Sequence, residues 1–169
     1  MGSRYTYPVS YTLTNAGGTT DFMSLVPATG QRMKLVAIKM SNGSEVAEAQ
    51  EEDIRIQIKR LPATVTAGSG GSAFTTGSAG KVKRDAAARS TGPVVRYNDT
   101  TPATTSGTEE ILEEIAWNVR ATPLELRWDN PDDQYDCAAA EAIAITLPVA
   151  VADDMTISLT VEVELEGAL

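Results

Sequence analysis

Two groups of carboxylates are the first candidates for chemistry in this chain. Glu109, Glu110, Glu113 and Glu114 crowd one short stretch, and Asp129, Asp132, Asp133 and Asp136 crowd another. A pair of carboxyl groups within about 10 Å can divide acid and base roles across a glycosidic bond. Several carboxylates around one loop can hold calcium. The aspartate run lacks the glycine turn and final glutamate of an EF-hand loop, so it reads as a solvated acidic loop. The glutamates read as an exposed acidic face.

The stretch GSAGKVK, 77–83, invites a phosphate-loop reading. No glycine stands five residues before Gly80, and Val82 takes the place of the magnesium-binding Ser or Thr. A flexible Gly/Ser loop explains these residues better. Trp117 and Trp128 have faces that stack on sugars, yet each sits in a strand-like pattern and reads as core. Asn42-Gly43-Ser44 and Asn98-Asp99-Thr100 match the glycosylation sequon, a short motif of low specificity. Histidine is absent, which removes Ser-His-Asp and Cys-His nucleophile systems and His-based zinc sites. Cys137 is the single cysteine, so no intrachain disulfide forms, and the chain suits a reducing compartment. The residues assign no catalytic role, no cofactor and no metal, and the chain reads as a non-enzyme.

One basic concentration stands out: Lys81, Lys83, Arg84 and Arg89. It lies in a chain of net charge −9, which repels nucleic acid and anionic membranes as a whole. The basic stretch is a solubilising loop or an arm that docks on an acidic partner. No run approaches the roughly 20 apolar residues of a membrane helix. MGSRYTYPVS lacks the apolar core of a signal peptide, so classical secretion is not expected.

The elements that must position these residues are mostly strands. ADDMTISLTVEVELEGAL, 152–169, alternates Met155, Ile157, Leu159, Val161, Val163 and Leu165 with polar partners. DIRIQIKR, 53–60, turns Ile54, Ile56 and Ile58 inward, and AIAITLP does so with Ile143, Ile145 and Leu147. RYTYPVSYTLT, 4–14, puts Tyr5, Tyr7, Val9, Tyr11 and Leu13 on one side. Pro8 suits an edge strand, so Tyr5, Tyr7 and Tyr11 are candidates for an oligomer edge. Residues 32–41, 93–98 and 124–128 add further strands. Residues 21–27 read as a helical turn or packed loop, and the stretch from Ser44 through Gln50 reads either as one or two helical turns capped by Ser44 or as a wide hairpin loop.

Residues 62–92 break the pattern with Gly, Ser, Thr and Ala and read as one long loop excursion. Residues 106–119 fit a helical face through Ile111, Leu112, Ile115, Ala116 and Val119. They also fit a strand face through Ile111, Ile115, Trp117 and Val119, and propensity favours the helix. The spacing of short strands and turns predicts one all-β domain over 1–169, an antiparallel β-sandwich or jelly roll.

The order of segments adds a resemblance. AEAQEEDIRIQIKR is followed by the Gly/Ser sequence AGSGGSA, then VVRYNDTTPATTSGTEEIL, AWNVRATPLELRW, NPDD and AIAITLPVAVADDMTISLTVEVEL. Over roughly residues 33–166 this succession resembles a family of tailed-bacteriophage capsid decoration (cement) proteins. Such a resemblance implies a jelly-roll-like subunit, a homotrimer bound to the major capsid protein on the outside of the virion, and synthesis in the host cytoplasm. It implies strand rather than helix over 106–119. The basic stretch Lys81–Arg89 departs from the family's usual composition. A glycan- or receptor-binding β-sandwich of a head or tail fibre is the alternative.

Overall fold

Alternation at the end of the chain produces a 13-residue strand, Met155–Gly167, in which Met155, Ile157, Leu159, Val161, Val163 and Leu165 are all buried. The computed structural model describes residues 2–14, 18–43, 53–74, 82–83, 92–120 and 122–167. Among them the strands are β1 (Ser3–Leu13), β2 (Thr20–Val26), β3 (Gln31–Asn42), β4 (Asp53–Leu61), β5 (Val65–Thr66), β6 (Ser72–Phe74) and β7 (Val82–Lys83). There follow β8 (Val94–Asp99), β9 (Thr104–Thr105), β10 (Glu110–Asn118), β11 (Leu124–Arg127), β12 (Asp136–Cys137), β13 (Ala142–Leu147) and β14 (Met155–Gly167). The described residues contain no helix.

Two six-stranded antiparallel sheets result. The first runs β11-β3-β14-β1-β7, with β12 also on β3, and the second runs β10-β4-β13-β2-β8-β6. Eight strands carry the topology. β1 pairs β14, β2 pairs β13, β3 pairs β11 and β4 pairs β10. That is one long hairpin, first strand with last and fourth with fifth. Rolling it up adds the pairs β3 with β14 and β4 with β13. A hairpin rolled in this way is a jelly roll, and the predicted fold class is what the chain adopts.

The inner faces supply the core. Ile54, Ile56, Ile58, Ile143, Ile145, Leu147, Ile157, Leu159, Val161 and Val163, the set expected from alternation, are all at most 3% exposed. Burying each such side chain favours folding by about 1.5–3 kcal/mol.

Four expectations are corrected. Residues 21–27 are neither helical turn nor loop but most of β2, which is buried along both faces and so shows no alternation. The strand over 106–119 is present as β10, but its faces change part-way. A bulge inserts Leu112 between Ile111, opposite Lys59, and Glu113, opposite Ile58. Leu112 packs on the core while Ile111 turns out to solvent.

The excursion at 62–92 is not a loop throughout. β5 pairs β9, β6 pairs β8, and β7 pairs Tyr5 and Thr6 of β1. Finally, Tyr5 and Tyr7 do not line an exposed edge. Both have zero exposure, and Tyr11 is half-buried and donates its hydroxyl to the Phe22 carbonyl at 3.0 Å. Alternation aims these three rings inward, like Leu13 on the same strand. The possible helix from Ser44 to Gln50 lies outside the described residues.

Candidate functional site

Tyr7 and Tyr11 help close the sandwich at its β1 side. Tyr7 meets Phe74 edge-on at 5.5 Å, Phe74 meets Tyr97 at 5.0 Å, and Tyr97 meets Tyr11 at 5.8 Å. Burial, then the neighbouring Tyr5, raises the Tyr7 hydroxyl far above the ordinary phenol range, so it stays protonated. Of the basic stretch, Lys83 lies in β7 opposite Tyr5, and Lys81, Arg84 and Arg89 lie outside the described residues. The structure brings Tyr5 and Lys83 onto neighbouring strands and does not otherwise join the two candidate sets.

Neither tryptophan offers an open stacking platform. Trp117 is buried and donates its indole N–H to the Thr122 carbonyl at 3.2 Å. Trp128 is half-buried against the core and packs edge-on to Tyr135 at 5.2 Å. Among the described residues no group of three or more His, Cys, Asp or Glu side chains is arranged to hold a metal ion.

Two polar constellations do form, and the sequence reading missed both. The first is a cleft of about 520 Å³ at one end of the sandwich. Gln31 opens β3, Arg60 lies near the end of β4, Glu110 opens β10, and Asp136 and Cys137 form β12, so the ends of both sheets meet there. Arg60 ties them together. Its Nε donates to the Asp136 carbonyl at 2.7 Å, one terminal nitrogen reaches Asp136 Oδ1 at 3.1 Å, and the other reaches Glu110 Oε2 at 3.1 Å. Arg32 pairs with the second oxygen of Asp136. Burial, then Glu141 and Asp136, push the Cys137 thiol up to about 12, so it is no nucleophile at neutral pH.

The second constellation lies on the outer face of the second sheet. Asp21 of β2 and Asp99 of β8 are register partners, and each is at most 1% exposed. Asp21 accepts the Ala103 N–H at 2.7 Å and the Thr146 hydroxyl at 2.8 Å. Asp99 accepts two hydrogen bonds from Arg96, at 2.8 and 2.7 Å, and one from the Gly71 N–H at 3.1 Å. Desolvation by burial raises the Asp21 carboxyl, the Ala103 and Thr146 hydrogen bonds oppose this, and nearby Asp99 adds to the rise.

The strap over this pair needs glycine. A Cβ on Gly71 would stand 2.2 Å from the Tyr97 carbonyl, and one on Gly68 would stand 2.6 Å from Asp99 Oδ2. This is the AGSGGSA sequence that reads as flexible loop. A second ribbon, β5 with β9, brings Val65 and Ala103 over Leu61, Ala142 and Ala144. The signal that would have pointed to this face is Asp21 beside the apolar residues of β2. Such acids need built-in partners.

No protein-family model and no curated protein matches the chain. Among solved structures, that of infectious bursal disease virus Gt strain is 13% identical with a TM-score of 0.21, over 99% of this chain and 41% of that one. The Gx strain of the same virus gives 12% identity and a TM-score of 0.19, over 99% and 43%. The chain thus spans about two-fifths of the length of these structures. Scores at this level do not align two domains strand for strand.

Proposed function

We propose that this chain is a structural virion protein that binds the outer surface of an assembled phage capsid and stabilises it, as a decoration protein does. The observation that carries the reading is the jelly-roll connectivity under the segment order that resembles the decoration family. The fold serves viral capsid and lectin domains alike, so the segment order and the acidic, extensively ion-paired surface weigh with it. A subunit that bridges neighbouring shell proteins binds the lattice and not its free parts, and so stabilises the lattice by mass action. Assembly as a homotrimer would multiply weak contacts through effective concentration.

The partner in this reading is the major capsid protein, and Lys81, Lys83, Arg84 and Arg89 are the proposed contacts with an acidic shell surface. Purified protein mixed with undecorated heads should co-sediment at micromolar concentration, and absence from the pellet contradicts the reading. Reversing Lys83 and Arg84 to Glu should weaken that binding, and wild-type binding should fall as salt rises. Unchanged binding by the double variant at low salt would move the contact to another face.

A further inference from the structure

We propose that Asp21 and Asp99 form a proton-operated latch: a proton on the pair holds the strap and ribbon down on the second sheet, and its loss favours their release. The proposal goes beyond the shell-binding reading and holds whatever the chain binds.

The geometry is that of a fastening. The chain passes over the second sheet on its way out through Gly68 and Gly71 and again on its return through Ala103. Each pass is tied down by one carboxylate. Asp99 accepts the Gly71 N–H at 3.1 Å, and Asp21 accepts the Ala103 N–H at 2.7 Å. Ser69 and Thr101 join the two passes through backbone hydrogen bonds of 2.9 and 3.0 Å. Beneath the ribbon lie Leu61, Ala142 and Ala144, an apolar patch that the latch keeps from water.

Charge does not balance under these ties. Arg96 gives two hydrogen bonds to Asp99, while the donors on Asp21, the Ala103 N–H and the Thr146 hydroxyl, are neutral. The other groups that face the pair do not make up the difference. Lys59 of β4 holds Glu109 at 3.3 Å, and Tyr11 of β1 and Tyr97 of β8 lie together on the core side. β6, β13, the strap and residues 100–105 contain no titratable side chain. With both carboxylates ionised, two buried negative charges therefore answer to one guanidinium, an excess that is costly away from water. A proton removes the excess with the strap closed. Opening removes it by letting water in.

The sign follows from the same contacts. Burial raises the Asp21 carboxyl, the Ala103 and Thr146 hydrogen bonds oppose the rise, Asp99 adds to it and Lys59 opposes it, with a net rise. With the strap open, Asp21 meets water and returns to about 3.9. The stability that Asp21 lends to the closed strap is fully present below that open-state value and is lost as pH rises through the closed-state one.

Hydrogen exchange on the ¹⁵N-labelled full chain tests the latch, read at the Gly71 and Ala103 amides against Val161 of β14, from about pH 4 to about pH 8. After correction for intrinsic exchange, protection at Gly71 and Ala103 should stay below that at Val161, the mark of a local opening. It should fall as pH rises, by at most about tenfold per pH unit, the limit for one proton. Fluorescence of ANS, a dye that lights up on exposed apolar surface, should rise over the same range. Asp21→Asn should remove the pH dependence. Thr146→Val keeps the shape of the side chain but takes away a hydrogen bond that favours the charged carboxylate, so it should carry the fall to higher pH. Protection equal to that at Val161 would mean that the strap leaves only with the whole fold, and would overturn the proposal. So would protection that is flat or rises with pH in the wild type, or that falls as steeply in Asp21→Asn.

Discussion

On the outer face of the first sheet, Arg4 of β1 reaches Glu164 at 3.1 Å and Glu162 at 3.6 Å, and Lys34 of β3 reaches Glu166 at 3.2 Å. Farther along, hydroxyls face one another, Ser10 with Ser158 at 3.3 Å and Thr12 with Thr156 at 3.2 Å. Most of these side chains are at least partly open to water. On the outer face of the second sheet, Asp21, Ser24, Gln57, Asp99 and Thr146 are buried, and Ala142 and Ala144 lie beneath a ribbon. Both faces are polar in sequence. The difference lies in what covers them. The β4–β10 connection folds back over the second sheet, and its strap and ribbon turn surface polar groups into interior ones. A part-exposed carboxylate on the first face, such as Glu164, exchanges water for an ion pair at little gain, whereas the buried pair on the second must have every partner in place.

The largest effect expected from this contrast is at Asp99. Asp99→Ala strips Arg96 of both hydrogen bonds and leaves the Gly71 N–H without its acceptor, so urea unfolding should show a loss of about 3–5 kcal/mol. Glu164→Ala on the first face should cost at most about 1 kcal/mol, even though it also loses an arginine partner. Equal losses would break the comparison. Next comes packing. Ala144→Leu pushes into the ribbon carrying Val65 and Ala103 and should cost about 1–3 kcal/mol. Thr160→Leu, at a partly exposed position of β14, should stay within about 0.5 kcal/mol. Similar costs at both positions would mean that the ribbon does not cover the second sheet.

The smallest effect is one of pH. Burial holds the Asp21 carboxyl above its unfolded value, so the folded state binds this proton more tightly. The stability this contributes is fully present below the unfolded pKa and is lost as pH rises through the higher, folded one. Compared with Asp21→Asn, the wild type should therefore gain stability as pH falls from about 7 to about 4. Paired urea midpoints across that range check the sign. A wild type that loses ground to the variant on acidification would show that the hydrogen bonds from Ala103 and Thr146, not burial, set the proton affinity.

How legible was this in the sequence? Strands with one covered face announce themselves. β14 and β4 alternate because one side meets the core, and every inward residue expected there is buried. β13 is the instructive exception, since it alternates in sequence yet is buried along both faces. Its outward Ala142 and Ala144 lie beneath the ribbon, and its outward Thr146 is 1% exposed and donates its hydroxyl to the buried Asp21. β2 has both faces covered, so the signal of alternation is erased and its Asp21 and Ser24 read as loop residues. The bulge at Leu112 defeats any fixed period. The strap defeats a compositional reading, since Gly68 and Gly71 are there for close approach rather than for flexibility. The end cleft was illegible for a plainer reason. Arg60 and Asp136 stand 76 positions apart and meet only because β4 and β12 end at the same end of the sandwich.

The most direct test of the proposed role compares intact, undecorated heads with their dissociated subunits, each mixed with this chain and followed by sedimentation and by the temperature at which the heads release DNA. The expected result is binding to intact heads alone, with a release temperature that rises with the concentration of the chain, as linkage to the assembled lattice requires. Equal binding to free subunits, or heads whose release temperature does not move at saturating chain, would contradict it.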